Sequence, residues 1–356
     1  VLARYDGRPY LRGDCQYYYY TAVSLWVDRD LDLANQLPPP LARHSSDVAL
    51  DSEGRLVPKH PIVLSLTALP MIAVFGPPGA LSFNLVQLAL LLFLTCGYAR
   101  RLASPAAASI AVIASGLATF LPHYVWNFSP DIFATVLLVA ALTALPADWS
   151  PDRARHLAAG VLLGFAVVSK FPLVLAIPGI PLVCGRPLRR TLPCLAVGLA
   201  VPLALWAALN THLFGSPLVT SYDRMAVIEH GSITLHSQRS DFDLPLWAGV
   251  RGQLADRNHG LFFTSPVTLL SVLGIGLLAR RDRKTTLYLT SGGVALFLLF
   301  SKYRPWDTSH YGNRFLMPLI VLAAVPLAAL IDGILVNLKS RRSAFSRPTT
   351  SSRTEP

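Results

Sequence analysis

"PIVLSLTALPMIAVFG", residues 61–76, is apolar from end to end, yet it has only sixteen residues and carries Pro70. A membrane-crossing helix needs about 20 residues, and an interior proline removes a backbone hydrogen bond. Whether this segment spans a bilayer or lies along its surface decides how the whole chain is threaded. Longer apolar runs follow at about 81–99, 105–121, 130–146, 157–169, 171–185, 191–213, 265–279, 285–301 and 314–338. Short basic clusters sit between them: Arg100–Arg101, Arg153 and Arg155, Arg186 with Arg189 and Arg190, "RRDRK" at 280–284 and "KSRR" at 339–342. With 61–76 read as an interfacial or re-entrant helix, nine spans put every cluster on one side, the side that positive charge marks as cytoplasmic. Counted as a span, it would send Arg100 and Arg101 outside. The pattern therefore predicts an all-α, polytopic transmembrane helical bundle of about nine spans, with juxtamembrane helices and outer loops.

Composition agrees with that reading. Of 356 residues, 53% are hydrophobic and 14% charged, against about 25% charged in soluble domains. The net charge of +11 lies in the inter-span clusters, which argues for membrane topology and against nucleic acid. None of the four cysteines, Cys15, Cys96, Cys184 and Cys194, has a neighbour at metal-site or redox spacing. The chain begins with Val and a loop-like stretch rather than a signal peptide, so a first helix is expected to be missing ahead of it. Three segments result: 1–60 as a first outer loop, 61–338 as the transmembrane module including the outer loop 214–263, and 339–356 as a basic, disordered cytoplasmic tail. The long loops, including 122–131 and 302–314, share the outer side of what would be a bacterial inner membrane.

The residues able to carry chemistry gather on that side. In "RGDCQYYYYTA", 12–22, Asp14 precedes four tyrosines; it fits a general base beside a sugar-binding aromatic patch, or a helix-start aspartate beside an interfacial belt. Asp28 and Asp30, in "DRDLDLAN", offer oxygen ligands for a divalent cation, though alternate spacing along an extended segment would splay them. "PKHP", 58–61, fixes Lys59 and His60 between prolines, where a lipid phosphate or plain snorkelling would suit the lysine. Asp131, in "NFSPD", either serves a site or caps the helix that starts there. Lys170, in "VVSKFPLV", marks an outer hairpin, with phosphate contact as the second reading. In "YRPWDTSHYGNRFLMP", 303–318, Trp306, His310, Tyr311 and Arg314 form a polar and aromatic cluster suited to phosphate and sugar.

Taken in order, "GDCQYYYYTAVSLWVDRDLDLAN", "KHPIVLSLTALPMIAVFG", "NFSPDIFATVLLVAALTAL", "GFAVVSKFPLVLAIP", "GLFFTSPVTLLSVLGIGLL" and "YGNRFLMPLIVLAA" resemble pieces of the GT-C superfamily of integral-membrane glycosyltransferases. That group includes protein O-mannosyltransferases and lipid A aminoarabinose transferases. The resemblance implies an inverting transferase for a polyprenyl-phosphate sugar, acting on a lipid, glycan or protein acceptor in the cell envelope. It assigns Asp14 to the catalytic acid, Lys59 to the lipid phosphate and Asp131 to a supporting acid, with Lys170 and Arg314 as further phosphate contacts. A divalent cation is an open expectation. Where many members carry a second acid directly after the first, this chain has Cys15. The rival class is a transporter or flippase of a lipid-linked saccharide, which should show duplicated halves and ionisable groups at the bilayer midplane; the sequence offers neither. A catalytically dead relative serving as an assembly partner is a third possibility.

Overall fold

The computed structural model describes residues 4–5, 8–9, 11–128, 130–145, 152–184, 188–230, 232–308 and 311–345. A short hairpin, β1 (Arg4–Tyr5) and β2 (Arg8–Pro9), precedes α1 (Asp14–Val27). After α2 (Pro39–Arg43) come β3 (His44–Leu50) and β4 (Leu56–Pro58). The segment that opened the sequence reading forms α3 (Val63–Phe75), 13 residues with Pro70 inside. At 1.5 Å per residue it is about 20 Å long, short of a ~30 Å hydrocarbon core. Gly76, at φ +63°, ends it, and α4 (Pro77–Ala99) starts at once. The elbow is tight because Gly79 has no side chain; a Cβ there would lie 2.1 Å from the Met71 carbonyl oxygen.

The helices of the bundle follow. α5 (Pro105–Leu117) is capped by Ser104, whose side chain accepts from the Ala107 amide. A 3-10 turn over Leu121–Trp126 leads to α6 (Pro130–Ala144). Arg101 donates to the Leu142 and Leu145 carbonyls at the end of α6, which matches a cation to the helix C-terminus. α7 (Arg153–Ser169) is followed by two short pieces, a 3-10 turn at Phe171–Ala176 and α8 (Ile180–Val183). The run 171–185 is therefore not one continuous helix. Pro172, Pro178 and Pro181 interrupt it, each lacking the amide a helix interior needs.

α9 (Leu188–Phe214) packs back on α7. This seam is made by what is absent. Cβ atoms on Gly160 and Gly198 would each come within 2.2 Å of the opposing backbone, and one on Gly164 within 2.8 Å of Pro202. β5 (Met225–Glu229) and β6 (Ser232–His236) then join the first pair in an antiparallel sheet of order β4-β3-β5-β6. Val48 faces Ala226 and Ala49 faces Met225 across β3 and β5, so the segments 1–60 and 214–263 build one sheet. α10 (Leu246–Ala255), α11 (Leu261–Thr264), α12 (Pro266–Arg281), α13 (Arg283–Ser301), α14 (Met317–Leu322) and α15 (Ala324–Phe345) complete the chain.

Ala, Leu and Val from α5, α6, α7, α12 and α15 form the main core. A second core, richer in aromatic side chains, lies towards the sheet end and includes Phe120, Tyr124, Phe300 and Trp306. At the far end, Asp332 pairs with Arg281 at 2.8 Å and accepts from the Ser104 amide at 3.3 Å, tying α15 to α12 and α5. Among the described residues, three stretches are long and apolar enough to cross a membrane: Pro77–Ala99, Thr191–Phe214 and Arg314–Ser340. The tail beyond residue 345 lies outside the described residues.

Candidate functional site

Gly13, at φ +54°, turns the chain into α1 and leaves Asp14 in its first turn, where the helix N-terminus favours a carboxylate. Arg314 reaches it from the opposite end of the sequence, with Nη2 2.6 Å from Asp14 Oδ2. The turn before Arg314 is held on two sides. Gly312, at φ +68°, sits so close to Phe120 that a Cβ would come within 2.4 Å. Asn313 accepts from the Phe315 amide and donates to Gln253 Oε1 at 3.2 Å. A rigid turn thus delivers the guanidinium.

Behind this pair lies a second. Asp131 opens α6, Lys170 follows α7, and their side chains form an ion pair. Both residues are more than nine-tenths buried, and Lys170 Nζ also lies 5.2 Å from the centre of the Phe315 ring. Arg314 Nε is 3.9 Å from Asp131 Oδ2. Asp14, Arg314, Asp131 and Lys170 therefore form a line of alternating charge, which limits the desolvation cost of burying each one.

The third pair comes from the sheet. Lys59 Nζ lies 2.6 Å from Asp47 Oδ1 and 3.1 Å from the Ser46 carbonyl. His60 stacks on Tyr18 with ring centres 4.9 Å apart, and Tyr222 Oη lies 3.5 Å from its Nδ1. Burial works to raise the carboxyl groups of Asp14 and Asp47. At Asp14 it is outweighed by Arg314, His60 and Lys59, and at Asp47 by His60 and Lys59, so both lie below the ordinary carboxylate range. Burial pushes the Tyr222 phenol well up, keeping it protonated.

Ligand atoms of Asp14, Asp47 and His60 lie within 4.8 Å of one another. Two carboxylates and an imidazole suit a divalent cation, and His60 Nε2 is a buried nitrogen with no hydrogen-bond partner. The donor set fits a cation, in competition with Arg314 and Lys59 for the same carboxylates. Asp28 and Asp30 do not join it. They lie at the far end of α1, about 21 Å along the axis from Asp14, where Asp28 accepts from Asn35 and Gln36 and Asp30 accepts from Ser24.

These groups open into one cavity of about 1570 Å³. Tyr222, Arg239 and Asp241 of the 214–263 segment form part of its wall. Apolar side chains of α3, α7 and α9 also line it, among them Val63, Leu66, Phe165, Val168, Leu205 and Leu209. Asp14, Lys59, His60, Asp131, Lys170 and Arg314 all line it. Trp306 does not. It is 7% exposed and packs against Gly252 and, edge to face, His259 in the aromatic core. Tyr311 is also outside the lining, and its carbonyl accepts from Tyr124 Oη. His310 lies outside the described residues. Asp47 and Tyr222 went unnoticed in the sequence, because only the β3–β5 pairing brings the polar "HSSD" and "TSYD" pieces to Asp14. A hint existed in "TSYD" itself: Thr220 and Asp223 form a capping box.

Comparison with known proteins bears on the fold. No family model and no curated protein matches the chain by sequence. Among solved structures it is similar to ArnT from Cupriavidus metallidurans bound to undecaprenyl phosphate, with TM-score 0.52 and 15% identity over 94% of this chain and 60% of that one. The apo state of the same protein gives TM-score 0.55 and 16% identity over 94% and 57%. The oligosaccharyltransferase AglB from Archaeoglobus fulgidus, in complex with an inhibitory peptide and a dolichol-phosphate, gives 0.51 and 13% over 93% and 47%. The chain thus spans 60% or less of the structures it matches. It has the GT-C fold.

Proposed function

We propose that the protein is an inverting glycosyltransferase that moves a sugar from a polyprenyl-phosphate donor to an acceptor hydroxyl at the outer face of the membrane. The observation that carries the reading is the cavity itself. One carboxylate, Asp14, shares it with Arg314, Lys59 and Lys170 and with apolar side chains of α3, α7 and α9. That combination suits an amphiphile with an anionic head. Two proteins of the same fold hold such amphiphiles, undecaprenyl phosphate in one and a dolichol-phosphate in the other.

In this reading Asp14 takes the proton from the acceptor hydroxyl as its oxygen bonds to the anomeric carbon. The bond from that carbon to the phosphate oxygen breaks, and its electron pair leaves with the lipid phosphate. Asp14 Oδ2 is held by Arg314, which leaves Oδ1 for the hydroxyl. Its lowered pKa keeps it ionised at neutral pH, as a base must be; such help contributes about 10²–10⁴-fold. Arg314 and Lys59 stabilise the charge growing on the phosphate, and Lys59 reaches it by exchanging Asp47 for the phosphate. Asp131 and Lys170 hold Arg314 from behind. A divalent cation on Asp14, Asp47 and His60 would add further charge for the phosphate. The same reading assigns nine spans, an inner-membrane location and a cytoplasmic C-terminus, because the basic residues 100–101, 153–155 and 280–284 fall at helix ends remote from the cavity.

The test is transfer from a set of polyprenyl-phosphate sugars in membranes, wild type beside Asp14→Asn. Transfer lost in the variant is the expected result. Equal transfer in both would remove Asp14 as the base. Donor binding without transfer in either would return the transporter reading.

A further inference from the structure

The Lys59–Asp47 pair is built by the sheet. Val48 of β3 faces Pro58 of β4, so Asp47 and Lys59, one step further along each chain, meet across the ladder with Nζ 2.6 Å from Oδ1. The register of β3 against β5 slips between Ser45, which faces Ile228, and Val48, which faces Ala226. Ser46 and Asp47 thus stand opposite Val227 alone. That is the geometry of a bulge, which re-aims a side chain out of the regular alternation. Both residues line the cavity.

The backbone on each side is fastened. The Asp47 amide donates to Ser45 Oγ at 3.3 Å, and Ser45 Oγ lies 2.7 Å from Tyr17 Oη of α1. The Lys59 carbonyl accepts from Ser221 Oγ at 2.6 Å. A change of partner at Nζ therefore needs side-chain rotation alone, which the flexible four-carbon stem of a lysine allows. Nζ now meets Asp47 Oδ1 and, at 3.1 Å, the Ser46 carbonyl. A carboxylate so placed takes the position on the lysine that an anionic ligand would take. Carboxylate oxygens of Asp14 and Asp47 lie within 4.8 Å of each other, so a phosphate held by Arg314 and Lys59 beside Asp14 has Asp47 as a neighbour.

Resting on the glycosyltransferase reading, we propose that Asp47 is a positioning residue for product release, which competes with phosphate for Lys59 and retakes the lysine after transfer. The need for a competitor follows from charge. The donor is a phosphodiester with one negative charge. Transfer breaks its bond to the anomeric carbon, and the polyprenyl phosphate left behind is a monoester, whose charge at neutral pH is about −1.5 to −2. Two cations without a competitor would hold this product more tightly than the donor that must replace it. Asp47 lowers the affinity of both lipids by the same exchange, and the effect matters most for the ligand that is slower to leave.

The experiment measures binding to the full chain in nanodiscs, with EDTA present. The probes are sugar-free polyprenyl phosphate and its neutral hexosyl derivative. Asp47→Asn is expected to bind both about tenfold or more tightly, the scale of one hydrogen bond to a charged group. Dissociation of the sugar-free lipid should slow, and that lipid should inhibit transfer at a correspondingly lower concentration. Asp47→Glu keeps the charge and should stay near wild type. Lys59→Met should weaken binding, and adding Asp47→Asn to it should bring back little of the gain. A gain of equal size without the lysine would mean plain charge repulsion and would overturn the exchange. Equal or weaker binding by Asp47→Asn would also overturn it, and weaker binding restored by Mn²⁺ would name Asp47 as a cation ligand instead. Wild type that transfers sugar while Asp47→Asn gains nothing would sink this inference and leave the transferase reading intact. Wild type that binds neither lipid would sink both.

Discussion

Helix α7 has two sides, and they were built in opposite ways. Against α9 it is closed by Gly160, Gly164 and Gly198, which let the backbones meet. On its other side Phe165 and Val168, with Lys170 just beyond its end, line the cavity together with residues of α3. Both sides are apolar over most of their length, so hydrophobicity alone does not separate a seam from a chamber. What separates them is side-chain volume and charge. A seam of small residues gains dispersion contacts from the facing backbone, the main attraction available between apolar helices in lipid. The chamber is lined by large side chains and by ion pairs that tie α1, α6, the end of α7 and the turn before α14 together.

The largest effect that would break this contrast is at the junction of the two. Lys170→Met should leave Asp131 short of its nearest cation in a buried site and destabilise the protein by about 3–5 kcal/mol, read as a fall in Tm in detergent. Adding Asp131→Asn should return much of the loss. A single variant as stable as wild type would show that Arg314 alone suffices for Asp131. Next comes the seam. Gly160→Leu forces a side chain into the Leu195 carbonyl and is expected to cost about 1–3 kcal/mol or more, with α9 becoming open to proteolysis.

A smaller effect is expected from acid. The carboxyl groups of Asp14 and Asp47 are depressed in the folded protein. Their contribution is therefore complete above the unfolded carboxyl pKa of ~3.9 and lost as pH falls through the lower folded values. The Tm should hold steady from pH 7 to about 5 and drop below about 4. Asp47→Asn should shrink that drop. Smallest of all is Leu205→Ala on the chamber side of α9. Leu205 is 61% exposed, so truncation should change stability by about 0.5 kcal/mol or less. The same change at Leu163, 1% exposed, should cost about 2–5 kcal/mol.

Much of the bundle was legible because its cause is local. Hydrophobic runs, prolines and basic clusters are each read from neighbouring residues, and the length of 61–76 with Pro70 inside marked α3 as a short helix. The apolar run 171–185 is not one helix but a 3-10 turn and the short α8, because three prolines interrupt it. Six of the candidate residues, from Asp14 to Arg314, line one cavity, Asp14 and Asp131 from helix N-termini and Lys170 from the C-terminus of α7. Trp306 looked like a sugar platform because it stands near His310, Tyr311 and Arg314 in sequence, yet its indole fills the space left by Gly252.

Sequence by itself determined a mostly helical class and the order of the helices; the all-α expectation missed the antiparallel sheet β4-β3-β5-β6 that segments 1–60 and 214–263 build together. Helical class and order depend on periodicity, length and charge within single segments. Only the tertiary structure decided which charges meet. Asp14 and Arg314 are 300 residues apart, and Asp47 reaches the site through a sheet shared by two distant segments. Partner choice across such separations follows from packing of the whole bundle, which fixes the line Asp14–Arg314–Asp131–Lys170 beside the Lys59–Asp47 pair.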